Sequence, residues 1–309
     1  GTKDFETNVV DKLKQNFLIS QEEFEHFKYL GLHIAQKNNC IYLDQQAYID
    51  ELEEVQIDHK RRMSKEAQLT TEEARQLRGI AGQLNWTSSQ TRPDISYAAC
   101  EVSVSIKDAQ INDLILANKH IRKLKSQKVS VQFPNLGNIE KCSILCFSDA
   151  AFANLKNASS QGGYILFLYK DDQLFAPVSW KSKKVQRVVK STLAAETLAL
   201  QEALEACYMI RLTLLGIFMQ KIESRLFPIN CYIDNKSLLD SVYSTKTLKE
   251  KRLKIDVCII REMLEKKEIE SINWCSSDKQ LADCFTKATS SSHKLINVLN
   301  SEAFAIQMF

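Results

Sequence analysis

The sequence has no CxxC pair, no cysteine and histidine spacing of a zinc site, and no apolar run long enough to span a bilayer. The first two absences leave nine cysteines as single residues, mostly inside apolar runs such as those holding Cys146, Cys207, Cys231 and Cys258. That usage reads as reduced, buried thiols of an intracellular protein. The third excludes a membrane-spanning helix, and no membrane partner is expected. A signal peptide and a low-complexity tail are missing too. So is a strong charge: the formal net charge of +3 is too small to announce a nucleic-acid binder, so any contact with nucleic acid must be local. The sequence opens at Gly1 without an initiator methionine or a capping prelude, which leads us to expect a piece of a longer chain.

What is present is an ordinary folding composition, 44% hydrophobic and 26% charged over 309 residues, enough for two domains. One stretch organises the rest: Cys142 to Phe152, CSILCFSDAAF, a strand-like apolar run carrying one carboxylate. Alternation puts Ile144 and Cys146 on one face and Leu145, Phe147 and Asp149 on the other. A lone acid there is ordinarily an edge residue turning into solvent, because burying it unpaired is costly. Three further acids in matching contexts change that weighting. Glu196 shares a helical stripe with Leu193, Leu200, Leu204 and Cys207. Asp234 closes the strand PINCYIDN, and Asp283 falls about one turn into a helix whose start the pattern from Ser277 to Gln280 marks. Four carboxylates gathered from two strands and two helices repel one another unless a cation sits among them. Magnesium is the natural candidate, with its preference for carboxylate, phosphate and water oxygens. A pair of such ions activates water and stabilises the leaving oxygen in phosphodiester hydrolysis.

Before this region the chain begins as an amphipathic helix, with Phe5, Val9, Leu13 and Phe17 in one stripe. FKYLGLHI and CIYLDQ alternate as strands around Lys37, Asn38 and Asn39, a hairpin pattern. AYIDELEEV resumes a helix, HKRRMSKEAQLT is a polar connector, and Thr70 and Thr71 start a helix running through Leu77, Ile80 and Leu84. Pro93 punctuates TRPDISYAACEVS; Asn112 is expected to cap the next helix, striped by Leu114, Ala117, Ile121 and Leu124. SVQFPNLGN, with Pro134 and Gly137, is the expected boundary between domains.

The words around the four acids resemble the ribonuclease H domain of copia-type LTR-retrotransposon Pol polyproteins. They are FSDAAFANLKNASSQGGYILFL, APVSWKSKKVQRVVKSTLAAETLALQEA, CYIDNKSLLD and SSDKQLADCFTKA, which cover nearly all of residues 140 to 290 in order. The earlier FKYLGLHI, YIDELEEV and LRGIAGQLNWTSSQTRPDISYA resemble the end of the palm and the thumb or connection region of the same polyprotein's reverse transcriptase. The resemblance implies an α/β class, a ribonuclease H-like mixed five-stranded sheet with flanking helices, preceded by a mainly helical palm-end and thumb remnant with a β-hairpin. It divides the chain into residues 1–137, the ribonuclease H domain 138–290 and a tail 291–309. It implies cleavage of the RNA strand of an RNA/DNA hybrid by Asp149, Glu196, Asp234 and Asp283 as ligands of two Mg2+ ions, for which Mn2+ can substitute. The implied partners are the hybrid and the remainder of Pol, in the cytoplasm within a virus-like particle or in the nucleus.

Substrate contacts are expected from Lys181, Lys183, Lys184, Arg187 and Lys190, a basic run before the Glu196 helix, and from Ser159, Gln161, Gly162 and Gly163, where small groups let a hybrid backbone approach. Asn235, beside Asp234, joins this set. A second cluster, Lys246, Lys249, Lys251, Arg252 and Lys254, reads equally well as a solvated face. Tyr169, Lys170, Asp171 and Asp172 spell the polymerase signature YxDD, but no third aspartate or nucleotide pocket accompanies them, and an Asp-rich hairpin turn is the expected role. Three departures from the family stand out. No histidine precedes Asp283 in WCSSDKQLAD, the histidine of the common Lys-His-Ile-Asp stretch is gone where this chain has Lys254, Ile255 and Asp256 with Leu253 before them, and Ala194 stands where a second glutamate is common. A catalytically silent remnant that binds nucleic acid or assembles with a partner is the alternative reading. A transposase or integrase of the same superfamily fits less well, since such sites commonly use three acids and cut DNA.

Overall fold

The computed structural model describes residues 3–19, 21–155, 158–170, 174–218, 226–244 and 248–301. Its first elements are α1 (Lys3–Phe5), a π-helical turn (Glu6–Val10) and α2 (Asp11–Asn16). The expected helix is there, but its stripe is not a core face: Phe5, Val9, Leu13 and Phe17 are 39% to 65% exposed.

A four-stranded antiparallel sheet follows, in the order β1 (His26–Tyr29), β2 (Leu32–Lys37), β3 (Cys40–Asp44) and β4 (Val131–Pro134). Asn38 and Asn39 turn the expected hairpin with both φ positive, the geometry that matches strand twist. FKYLGLHI, however, is two strands and not one, because Leu30 and Gly31 make a second turn of the same kind. SVQFPNLGN is likewise more than a linker. Val131 to Phe133 pair with β3 from Leu43 to Ile41, and Pro134, opposite Cys40, ends the ladder where its missing N–H costs least.

Between β3 and β4 run α3 (Gln46–Glu51), α4 (His59–Met63), α5 (Thr71–Gln90), α6 (Ser96–Ser105) and α7 (Ile111–Ser126). α5 is started by a reciprocal cap between Thr70 and Glu73. α7 is capped by Gln110 with Asp113, not by Asn112. Leu77, Ile80, Leu84, Leu114, Ile121 and Leu124 form the core of this unit. In TRPDISYA, Arg92 and Asp94 make a fully buried bidentate pair, with both bonds at 2.8 Å.

The second sheet has the order β7-β6-β5-β8-β9, with β5 (Ser143–Ala151), β6 (Gln161–Tyr169), β7 (Phe175–Lys184), β8 (Ile229–Ile233) and β9 (Ser271–Trp274). β5, β6 and β7 are antiparallel neighbours; β8 and β9 extend the sheet parallel to β5. With α8 (Thr192–Phe218), α9 (Lys236–Tyr243) and α10 (Lys251–Glu265), this is the ribonuclease H-like arrangement. Ile144, Cys146 and Leu166 meet Leu200, Leu204 and Cys207 of α8 on one face. Leu145, Phe147 and Ile165 meet Leu281, Phe285 and the last helix, α11 (His293–Leu299), on the other. The two units touch: the Trp180 indole donates to Ser88 O at 2.7 Å, an edge-packing role, and the Cys100 thiol to Gln161 Oε1 at 3.7 Å. Among the described residues no helix is long and apolar enough to cross a membrane.

Candidate metal centre

Parallel pairing of β5 with β8, in the register Phe147 opposite Tyr232, sets their C-terminal ends side by side and with them Asp149 and Asp234. α8 lies close over the sheet at Gly162, where an added Cβ would stand 3.2 Å from that of Ala199, and Glu196 is one turn earlier on that helix. Asp149, Glu196 and Asp234 each present a ligand atom within 4.8 Å of the others. Asp149 and Glu196 are buried and Asp234 is half-buried.

Such a cluster is electrostatically unsatisfied without a cation. Burial pushes the Asp149 carboxyl up to about 6, with the Asp234 and Asp283 charges adding to it and Lys287 and Thr286 pulling it back. Glu196 is raised well above the carboxylate range, by burial first and then by Asp149 and Asp234, against Lys287 and an Asn235 hydrogen bond. Hard, crowded carboxylate oxygens on converging elements are a donor set that fits a divalent cation of the magnesium class.

Asp283 stands apart from this trio. It lies on a 3-10 helix, Leu281–Phe285, capped by the Gln280 side chain, and not one turn into an α-helix started at Ser277. Ser277 instead donates to Asp234 Oδ2 at 2.7 Å. Lys287 Nζ donates to Asp283 Oδ1 at 2.5 Å and lies 3.7 Å from Asp149 Oδ2. Ser290 Oγ donates to Asp283 Oδ2, and Thr286 Oγ1 donates to Asp149 Oδ2. Burial opposes the charge on Lys287, yet Asp149 and Asp283 outweigh it and raise the ammonium's pKa. Sequence reasoning missed Ser277, Thr286, Lys287 and Ser290. The available signal was spacing, since Thr286 and Lys287 follow Asp283 by three and four residues, one helical turn.

The basic run is already partly paired. Lys181 and Lys183 reach Glu202 at 3.1 and 3.0 Å, and Arg187 holds both oxygens of Asp256. Lys184 is half-buried and Lys190 exposed. Gln161 is fully buried, its amide donating to Ser182 Oγ at 2.7 Å. Glycine at 162 and 163 admits the protein's own elements: a Cβ at Gly163 would stand 2.3 Å from Phe285 Cβ. Ser159 is half-buried, and Asn235 caps α9 through Leu238 N at 3.0 Å. Tyr169 pairs with Phe175, while Asp171, Asp172 and Lys246 lie outside the described residues.

No family model matches the chain. It is similar to the Retrovirus-related Pol polyprotein from transposon RE1 of Arabidopsis thaliana, 27% identical over 92% of this chain and 19% of that protein's length. It therefore spans about a fifth of that relative. Among solved structures, LC11-RNase H1 in complex with RNA/DNA hybrid aligns with 47% of this chain and 94% of its own, at 14% identity and a TM-score of 0.35. The foamy viral protease-reverse transcriptase in complex with RNA/DNA hybrid aligns with 82% of this chain and 29% of its own, at 13% identity and a TM-score of 0.44.

Proposed function

We propose that the chain is a metal-dependent endonuclease that hydrolyses the RNA strand of RNA/DNA hybrids, as one part of a retrotransposon Pol polyprotein. In this reading residues 138–290 are the ribonuclease H domain, and residues 1–137 are the palm-end and thumb or connection of the reverse transcriptase. The observation that carries it is the carboxylate trio Asp149, Glu196 and Asp234, with ligand atoms within 4.8 Å of one another at the ends of β5 and β8 and on α8. The similarity to a transposon Pol polyprotein across 92% of the chain supports the wider assignment.

Asp149, Glu196 and Asp234 would hold Mg2+, or Mn2+ in its place. Bound there, the ion supplies Lewis-acid polarisation of a phosphate oxygen and a lowered pKa for attacking water. The chain's own residues orient the ligands: Ser277 fixes Asp234, Thr286 fixes Asp149, and Asn235 bonds Glu196. Lys184 and Lys190 offer cations to the hybrid's phosphates, and Lys181, Lys183 and Arg187 do so when released from Glu202 and Asp256. A second ion, expected from four acids, would require Asp283, whose carboxylate Lys287 and Ser290 engage.

The test is cleavage of an end-labelled RNA/DNA hybrid by the purified chain with Mg2+ or Mn2+, beside Asp149→Asn, single-stranded RNA and duplex DNA. Cutting confined to the hybrid's RNA strand and abolished by the substitution is the expected result. A folded chain that binds the hybrid and leaves it intact would make it a nucleic-acid-binding module.

A further inference from the structure

The position of Lys287 carries an inference about how many ions the centre takes. Its Nζ lies between Asp283, which stands outside the trio, and Asp149, which belongs to it, 2.5 Å from Asp283 Oδ1 and 3.7 Å from Asp149 Oδ2. An ion bridging those carboxylates would need oxygens at about 2.0–2.1 Å, in the space the ammonium fills. The arrangement is built and not incidental. Thr286, next to Lys287, has its single hydroxyl proton within reach of both Asp149 Oδ2 and, at 3.0 Å, Asp283 O, and its backbone N–H donates to that carbonyl at 3.2 Å. Ser290 takes the remaining Asp283 oxygen. One short stretch, residues 286–290, thus supplies donors to both acids and fixes where the lysine emerges.

We propose that Lys287 is a tethered counter-cation standing in the place of a second divalent ion, so that the centre takes one ion at Asp149, Glu196 and Asp234 while the ammonium neutralises Asp283. This rests on the metal-dependent reading above. A monovalent ammonium on a side chain repays less charge than a divalent ion but needs no dehydration of magnesium, which gives up its waters reluctantly. The lysine side chain is 41% exposed, so its removal opens the position to solvent and to an ion without hollowing the core. Lys287 is in this sense a positioning residue, acting on the carboxylates and not on the substrate.

The experiment counts bound Mn2+ on the full chain by electron paramagnetic resonance of the free ion, in wild type, Lys287→Met and Lys287→Arg, with circular dichroism confirming the fold. One ion on the wild type and on Lys287→Arg, rising to two on Lys287→Met, is the expected result. The dependence of hybrid cleavage on Mn2+ should steepen in parallel, from first towards second order. A count unchanged by Lys287→Met, whether one or two, overturns the proposal and leaves the ribonuclease reading standing. No ion bound by any of the three would instead sink the metal-dependent reading itself.

Discussion

Gly163 of β6 lies against Phe285 of the 3-10 helix so closely that an added Cβ would stand 2.3 Å from the phenylalanine's own. Phe285 is fully buried, so neither partner can yield by swinging a flexible tip into solvent. Gly163→Ala should therefore cost about 1–3 kcal/mol, the range for overpacking. It should also displace the turn carrying Asp283 and Thr286, lowering metal affinity beyond its effect on stability. Gly162→Ala, where the contact is 3.2 Å, should cost less. Urea unfolding of the two variants, with Mn2+ titration, checks both statements.

Asp149 makes the stability of the metal-free chain depend on pH. Its folded carboxyl titrates at about 6, against about 3.9 in an unfolded chain. The folded state therefore holds its proton where the unfolded state has lost it, and stability falls as pH rises from about 4 to about 6, with the penalty complete above. Asp149→Asn removes that penalty. Its advantage over wild type in chelator should be absent below the window and reach about 2–3 kcal/mol at neutrality. Added Mg2+ should stabilise the wild type and leave the variant unmoved, as urea unfolding across the window would record.

Arg92 and Asp94 form an ion pair with no solvent access to either side chain, and Arg92 also donates to Leu124 O at 3.0 Å. Arg92→Met strands a buried carboxylate and should cost about 3–5 kcal/mol. Replacing Asp94 by Leu in the same chain should recover most of that loss. A double-mutant cycle in urea separates the pair's own worth from the cost of orphaning one member.

Glu202 holds Lys181 and Lys183 together. Glu202→Gln should free both ammonium groups, tighten binding of an RNA/DNA hybrid and steepen its salt dependence by about one to two phosphate contacts. Fluorescence anisotropy over a series of salt concentrations reads the slope directly. An unchanged slope would place these lysines outside the hybrid's path.

The trio was legible because each acid interrupts a pattern whose period is local: strand alternation at Asp149, a strand end at Asp234, a helical stripe at Glu196. Asp283 was found for the same reason, yet its partners were not, because a 3-10 turn capped by Gln280 and a capped α-helix differ by choices that tertiary packing makes. Lys287 reads as one more surface lysine until Asp149, 138 residues earlier, is brought beside it. Periodicity likewise put Phe5, Val9, Leu13 and Phe17 on one stripe without saying whether anything covers it. The cap of α7 slipped by two residues, since Gln110 and Asn112 are both polar residues a few positions before the stripe that Leu114 opens, and only the reciprocal bond to Asp113 separates them. β4 was hidden because its partner lies nearly ninety residues upstream, as in the pairing of Leu43 with Val131.

That last pairing has a consequence for the chain as it is made. The outer edge of β3 has its partner in Val131–Pro134, so the nascent protein carries an open strand edge, with Ile41 42% exposed even in the finished fold, through synthesis of the whole helical insert. Open edges recruit other chains. Residues 131–134 must be made before the outer edge of β3 is paired, so a chain ending just short of them would keep that edge open.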